Sequence, residues 1–161
     1  MRVVSNTSPL SNLAVIGRLE LLQHRYGTVR IPPEVAQELD RLSHAEGKAR
    51  LAAAMAAGWL ELDSTATSPV VPPFALDAGE AAAIALALSL NADMLLIDEK
   101  RGRAAARHAG LTVAGVLGEL LHARMVGILP SLRTELHRLR SEAGFFIDPG
   151  IERFILSQAD E

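Results

Sequence analysis

With 161 residues, no cysteine and a formal net charge of −3, the chain excludes a disulfide framework, a thiolate zinc site and whole-molecule attraction to nucleic acid. Aromatic residues are only 4%, which argues against the base-stacking platforms of RRM and OB folds, while abundant Ala and Leu favour helices packed on a sheet. The length fits one domain over residues 1–161. Surface scaling leaves such a domain roughly 7,800 Å² exposed out of about 25,000 Å² unfolded, enough burial for a self-sufficient core.

A short extended run, Arg2 to Val4, stops at Ser5-Asn6-Thr7-Ser8-Pro9, a strand-to-helix turn with helix to about Ile16. Arg18 to Tyr26 repeats leucines at helical spacing. Thr28 to Ile31 is a β-branched strand stopped by Pro32-Pro33, and Glu34 to Ser43 is a helix with Val35, Leu39 and Leu42 on one face. Glu46 to Ala57 is an alanine-rich helix ended by Gly58, Trp59 to Leu62 a third strand, and Ser64 to Pro73 a loop. Asp77 to Leu90 is a helix and Met94 to Ile97 a continuous apolar strand. Another helix begins near Glu99 and runs to Gly110, before a strand at Leu111 to Val113. The tail from about Val116 is helical, broken at Gly127-Ile128-Leu129-Pro130 and Gly144, which defines a helical C-terminal extension from about residue 128. The longest apolar run, around Ala81 to Leu90, falls far short of a membrane span, and MRVVSNTSPL has no signal-peptide pattern. A soluble, cytoplasmic protein is the expectation.

Alternating strands and helices, with fully apolar strands, predict an α/β fold: a central, mostly parallel sheet with helices on both faces. The working site of such a sheet lies beyond the C-terminal strand ends. Asn6 follows the first strand and Asp98 the Met94–Ile97 strand, whereas Asp93 lies at the opposite pole. Asp98 either serves the site or caps the helix beginning near Glu99. Asp77 and Glu80 fit a capping box, with Glu80 reaching back. Glu38 sits at the edge of the Val35, Leu39, Leu42 stripe, where a carboxylate needs a partner arginine or a metal. Spacing alone does not decide among these readings.

Other chemistries are excluded more firmly. Gly47-Lys48 lacks the earlier glycine of a P-loop, whose place Leu42 takes, and Gly115-Val116-Leu117-Gly118 is no dinucleotide fingerprint. Neither HExxH nor Gly-x-Ser-x-Gly occurs, and the histidines at 24, 44, 108, 122 and 137 show no metal-ligand spacing. A haloacid-dehalogenase site would need Asp-x-Asp where the chain has Asn6-Thr7-Ser8.

Four segments, taken in order, carry a resemblance: Val3-Val4-Ser5-Asn6-Thr7-Ser8-Pro9-Leu10, Ile31-Pro32-Pro33-Glu34-Val35-Ala36-Gln37-Glu38-Leu39, Leu76-Asp77-Ala78-Gly79-Glu80 with the apolar run to Ala87, and Leu95-Leu96-Ile97-Asp98-Glu99-Lys100-Arg101-Gly102-Arg103. Each is weak alone, but their order and spacing resemble the PIN-domain family, in particular its VapC-like toxins. The resemblance implies a PIN-like fold whose acidic site cleaves RNA with Mg²⁺ or Mn²⁺, leaving 5′-phosphate and 3′-hydroxyl ends. It places the family's acids at Asn6, Glu38, Glu80 and Asp98 and a supporting hydroxyl at Ser8. Asn6 departs from the usual aspartate: its amide oxygen can bind Mg²⁺ but brings no negative charge.

Lys100, Arg101, Arg103 and Arg107 follow Asp98, with 103 and 107 on one helical face. They either hold substrate phosphates or form a solvated basic face. Arg133, His137, Arg138 and Arg140 read as ordinary helix surface. The expected function is a metal-dependent endoribonuclease, the toxin of a toxin–antitoxin pair, with RNA, a small antitoxin protein and a second copy of itself as partners. The alternative is a degenerate PIN domain that binds RNA or protein without cutting.

Overall fold

Three-residue apolar runs stopped by turn residues become central strands here because both faces of the sheet are covered. The computed structural model describes residues 1–69 and 75–161. Its sheet comprises β1 (Val3–Ser5), β2 (Val29–Ile31), β3 (Leu60–Leu62), β4 (Met94–Leu96) and β5 (Val113–Ala114). The helices among these residues are α1 (Thr7–Val15), α2 (Glu20–Tyr26), α3 (Pro33–Asp40), α4 (Ala45–Ala56), α5 (Ala78–Ser89), α6 (Lys100–His108), α7 (Val116–Met125), α8 (Leu132–Ala143) and α9 (Pro149–Gln158). The predicted Ser64 to Pro73 loop lies outside the described residues from position 70 onward.

The strand order is β3-β2-β1-β4-β5, and every pairing is parallel, so the expected mostly parallel sheet is wholly so. From β1 the chain steps outward to β2 and β3, then returns past β1 to lay down β4 and β5. The order reverses between β1 and β4, which opens a crevice beyond their C-terminal ends. Register then sets what faces that crevice. Ser5 pairs with Leu96, and the Asn6 backbone N–H donates to the Leu96 carbonyl at 2.8 Å. Asn6 and Asp98 therefore leave adjacent strands side by side. This pairing also carries β1 one residue beyond its predicted end, to Ser5.

Val3, Val4, Ile31, Leu95, Leu96 and Ile97 form the centre of the core, each no more than 1% exposed. Helix α3 stops at Asp40 rather than the predicted Ser43, because the Arg41 and Leu42 N–H groups bond three residues back, to Glu38 and Leu39. Such bonds tighten and end a final turn. The tail is tied to the body by buried carboxylates. Glu119 of α7 accepts from Arg25 and from the Tyr26 hydroxyl at 2.6 Å, and Glu135 of α8 accepts from Arg18 at 2.7 Å. The Glu161 carboxylate caps α8, accepting from the Leu132 N–H at 2.6 Å.

Candidate active site

Asp98 follows β4 and is held from two sides. It accepts from the Ser8 hydroxyl at 2.8 Å and from the Val116 N–H, the first of α7, at 2.7 Å. Helix α6 instead begins after Glu99, whose side chain makes no capping bond. The cap reading of Asp98 is thus corrected: the carboxylate serves the start of α7, eighteen residues along the chain. Burial pushes its pKa up, against the bonds from Val116 and Ser8 and the charge of Arg103. Ser8 is itself fixed, since the Asn12 amide donates to its hydroxyl at 2.9 Å.

Asn6 occupies the N-cap of α1, where an asparagine oxygen ordinarily accepts from the helix's first N–H groups. Its side chain makes no such bond. Asn6 is 4% exposed, and its Oδ1 has no partner. Glu80 repeats the pattern. Asp77 caps α5, accepting from the Glu80 N–H at 2.7 Å, but Glu80 Oε2 is buried and unpartnered. The predicted capping box is therefore formed on its Asp77 side, while one Glu80 oxygen is left over. Burial, with the neighbouring Asp77 carboxylate, raises the Glu80 pKa to about 7.

Glu38 leaves α3 half-buried, and of its two expected partners, an arginine or a metal, no arginine is found among the described residues; instead Thr7 Oγ1 donates to Oε2 at 2.5 Å. Thr7 and Ser8, consecutive at the start of α1, thus each hold one acid. Asn6, Glu38 and Asp98 are all placed around that single turn. Glu80 joins through α5, which packs on α3, and through α6.

Three glycines make room for the acids. A Cβ on Gly79 would lie 2.8 Å from Glu38 Cδ, one on Gly102 2.5 Å from Glu80 Oε2, and one on Gly115 2.6 Å from Asp98 Oδ1. Sequence reasoning missed these positions, together with Thr7 and Asn12. A signal was present: glycine inside a helix costs about 1 kcal/mol relative to alanine, so Gly79 and Gly102 needed a reason in close approach.

Arg103 stands beside Asp98, half-buried, its pKa lowered by burial and by Arg107 against the pull of Asp98. Lys100, Arg103 and Arg107 line one groove of about 860 Å³ with Asp98, whereas Arg101 is exposed outside its wall. The tail cations lie on the helix surface as read, where Arg138 pairs with Glu135 and Glu142, and Arg140 with Glu152.

The donors suit a hard divalent cation in kind, being oxygens only, two of them buried without partners. A buried oxygen left unsatisfied costs roughly 1–3 kcal/mol, which a bound cation would remove. Among the described residues no three His, Cys, Asp or Glu side chains form a ready metal-binding group. The donors are thus complementary in chemistry to an ion that keeps several waters, such as Mg²⁺, rather than a closed protein cage.

No curated protein matches the chain. The family model DUF3368, described as a PIN domain, matches residues 2–161. Strand-end acids on a 3-2-1-4-5 parallel sheet and a match over nearly the whole length agree: the chain belongs to the PIN-domain family, whose members are in general nucleases that use divalent metal ions.

Proposed function

We propose that this chain is a metal-dependent endoribonuclease that hydrolyses RNA phosphodiester bonds, and the toxin of a toxin–antitoxin pair. The observation that carries the reading is the pair of buried, unpartnered oxygens: Asn6 Oδ1, at the end of β1 beside the strand that leads to Asp98, and Glu80 Oε2, against Gly102 of the basic helix α6. Asn6, Glu38, Glu80 and Asp98 would hold Mg²⁺ or Mn²⁺, which when bound lowers the pKa of a water and stabilises charge on the leaving oxygen. Thr7 and Ser8 orient the Glu38 and Asp98 carboxylates. Glu80, with its pKa near 7, gives up its proton readily at neutral pH. Lys100, Arg103 and Arg107, with Arg101 further out, draw substrate phosphates towards the acids.

The same reading makes the chain one cytoplasmic domain that pairs with a small antitoxin protein and with a second copy of itself. Among the described residues no helix is long and apolar enough to cross a membrane. The test is cleavage of end-labelled single-stranded RNA with Mg²⁺, with Mn²⁺ and with EDTA. Metal-dependent cleavage lost in Asp98→Ala is the expected result, and cleavage unaffected by EDTA or by that substitution contradicts it.

A second reading, RNA or protein binding without cleavage, is favoured by Asn6, the amide at the usual acidic position, which brings no negative charge to a cation. A wild-type protein that binds RNA without cutting it, and cuts once Asn6→Asp is made, would establish that alternative.

A further inference from the structure

The sequence holds few aromatic residues, and two of them stand in water in the groove that Asp98 lines. Phe146 is 81% exposed and Phe154 62%. Their display is built into the tail. Gly144, at φ 64°, ends α8 in a left-handed turn, and Asp148 caps the start of α9, accepting from the Gly150 and Ile151 N–H groups. Between these two ends Phe145 packs on the core and Ile147 is 4% exposed, so the intervening Phe146 is turned outward. On α9, Ile151, Phe154 and Ile155 share a face, and all three line the same groove as Phe146.

That groove brings aromatic rings and cations into one lining: Lys100, Arg103 and Arg107 from α6, Phe146 and Phe154 from the tail, and Asp98 between β4 and α6. Phe146 also borders a second cavity, of about 430 Å³, whose lining includes Ser8, Asn12, Asp98 and Glu99. Cations in the groove outnumber its carboxylates, Asp98 and Asp148, although the whole chain carries −3. An apolar helix from a protein partner would leave those cations facing hydrocarbon. A single nucleic-acid strand satisfies both kinds of side chain, because its bases have π-faces and its phosphates are anionic.

We infer that Phe146 and Phe154 form a stacking platform for bases of single-stranded RNA, next to the nucleotide whose phosphate meets the acids, while Arg103 and Arg107 hold backbone phosphates. The inference rests on the ribonuclease reading and adds to it where the strand lies. It is compatible with the low aromatic content that argued against RRM and OB folds, because two rings suffice when the fold exposes both at one groove.

The experiment measures binding of a fluorescein-labelled six-nucleotide RNA by anisotropy, in EDTA and in Mg²⁺, to wild-type protein, Phe146→Ala, Phe154→Ala and Phe146→Trp. Cleavage is followed in parallel. Each alanine should weaken binding about tenfold, within the range for one lost base–aromatic stack, and Phe146→Trp should keep wild-type affinity. The new indole should be quenched as RNA binds, against a steady background from Trp59, which is 9% exposed in the core. A strand with abasic positions should bind the wild type weakly and lose nothing further in the alanine variants. Because both rings are exposed, unchanged thermal midpoints are expected and would exclude misfolding. RNA that is bound and cut by the wild type, with equal affinity for the alanine variants, overturns the platform alone. The same holds if the alanine variants change only self-association, which would make this face a contact between copies. If the wild type neither binds nor cleaves RNA, the ribonuclease reading falls and the platform with it.

Discussion

Two sets of buried acidic or amide side chains in this protein are treated in opposite ways. In the tail, Glu119 and Glu135 are each 2% exposed, and each is paired with arginine, Arg25 and Arg18 respectively. At the candidate site, Glu80 at the start of α5 is 7% and Asn6 at the end of β1 4% exposed, and each keeps an oxygen with no partner. The same chain thus shows that it can satisfy a buried carboxylate, and it does so where the carboxylate joins helices. Leaving oxygens unmatched at the candidate site costs stability that a bound cation would return. The contrast separates the fold's fastenings from its site.

The largest effect expected from breaking this contrast is on cleavage. Asp98→Ala should lower the rate on the order of 10³-fold, since positioning of a catalytic cation is worth several kcal/mol, while stability falls by only about 1 kcal/mol through the freed Val116 N–H. Single-turnover cleavage beside urea unfolding checks both halves. In the tail the effect falls on stability instead: Glu119→Ala removes the acceptor of Arg25 and of the Tyr26 hydroxyl and, because Arg25 is exposed to water, should cost about 1–2 kcal/mol. Its cleavage rate per folded molecule should stay within a few-fold of wild type.

A smaller and more diagnostic effect is in the pH dependence of the metal-free protein. Glu80 has a folded pKa of about 7 against an ordinary value of 4.5, and Asp98 is shifted in the same direction. A raised carboxyl pKa contributes stability that is fully present below the unfolded value and is lost as pH rises through the folded one. Between about pH 4.5 and 7 the metal-free protein should therefore lose on the order of 2 kcal/mol from Glu80, after allowance for solvent screening. Urea midpoints across that window should fall for wild type and fall less for Glu80→Gln. Smaller again is Ser8→Ala, which frees one side of Asp98 and should lower cleavage about tenfold while binding of RNA is kept.

The order of elements was legible in the sequence because fully apolar strands and helix-period stripes are local signals, and the stretch from Val3 to Val113 follows them within a few residues. Side-chain partners were less legible. Whether Asp98 capped α6 or reached α7 depended on where β5 delivers Gly115, which no local pattern states. Whether Glu38 met arginine or Thr7 depended on β1 and β2 lying side by side, which brings residues 31 positions apart together. The rings at 146 and 154 escaped notice because composition counts aromatics without saying which face them outward. Asn6 was visible as the departure from the acidic pattern, but that its side chain leaves the α1 cap unmade was not legible from sequence.

The most direct measurement is a calorimetric titration of Mn²⁺ into metal-free wild-type protein, Asn6→Asp and Glu80→Gln near pH 7.5. A unit charge about 4 Å from a cation at effective dielectric ~20 interacts by about 4 kcal/mol per unit of cation charge, much of it offset by desolvation and by repulsion among the acids. The account predicts that Asn6→Asp binds Mn²⁺ at least tenfold more tightly than wild type, while Glu80→Gln binds it at least tenfold more weakly. Equal affinities in all three proteins would place positions 6 and 80 outside any metal site and contradict the account.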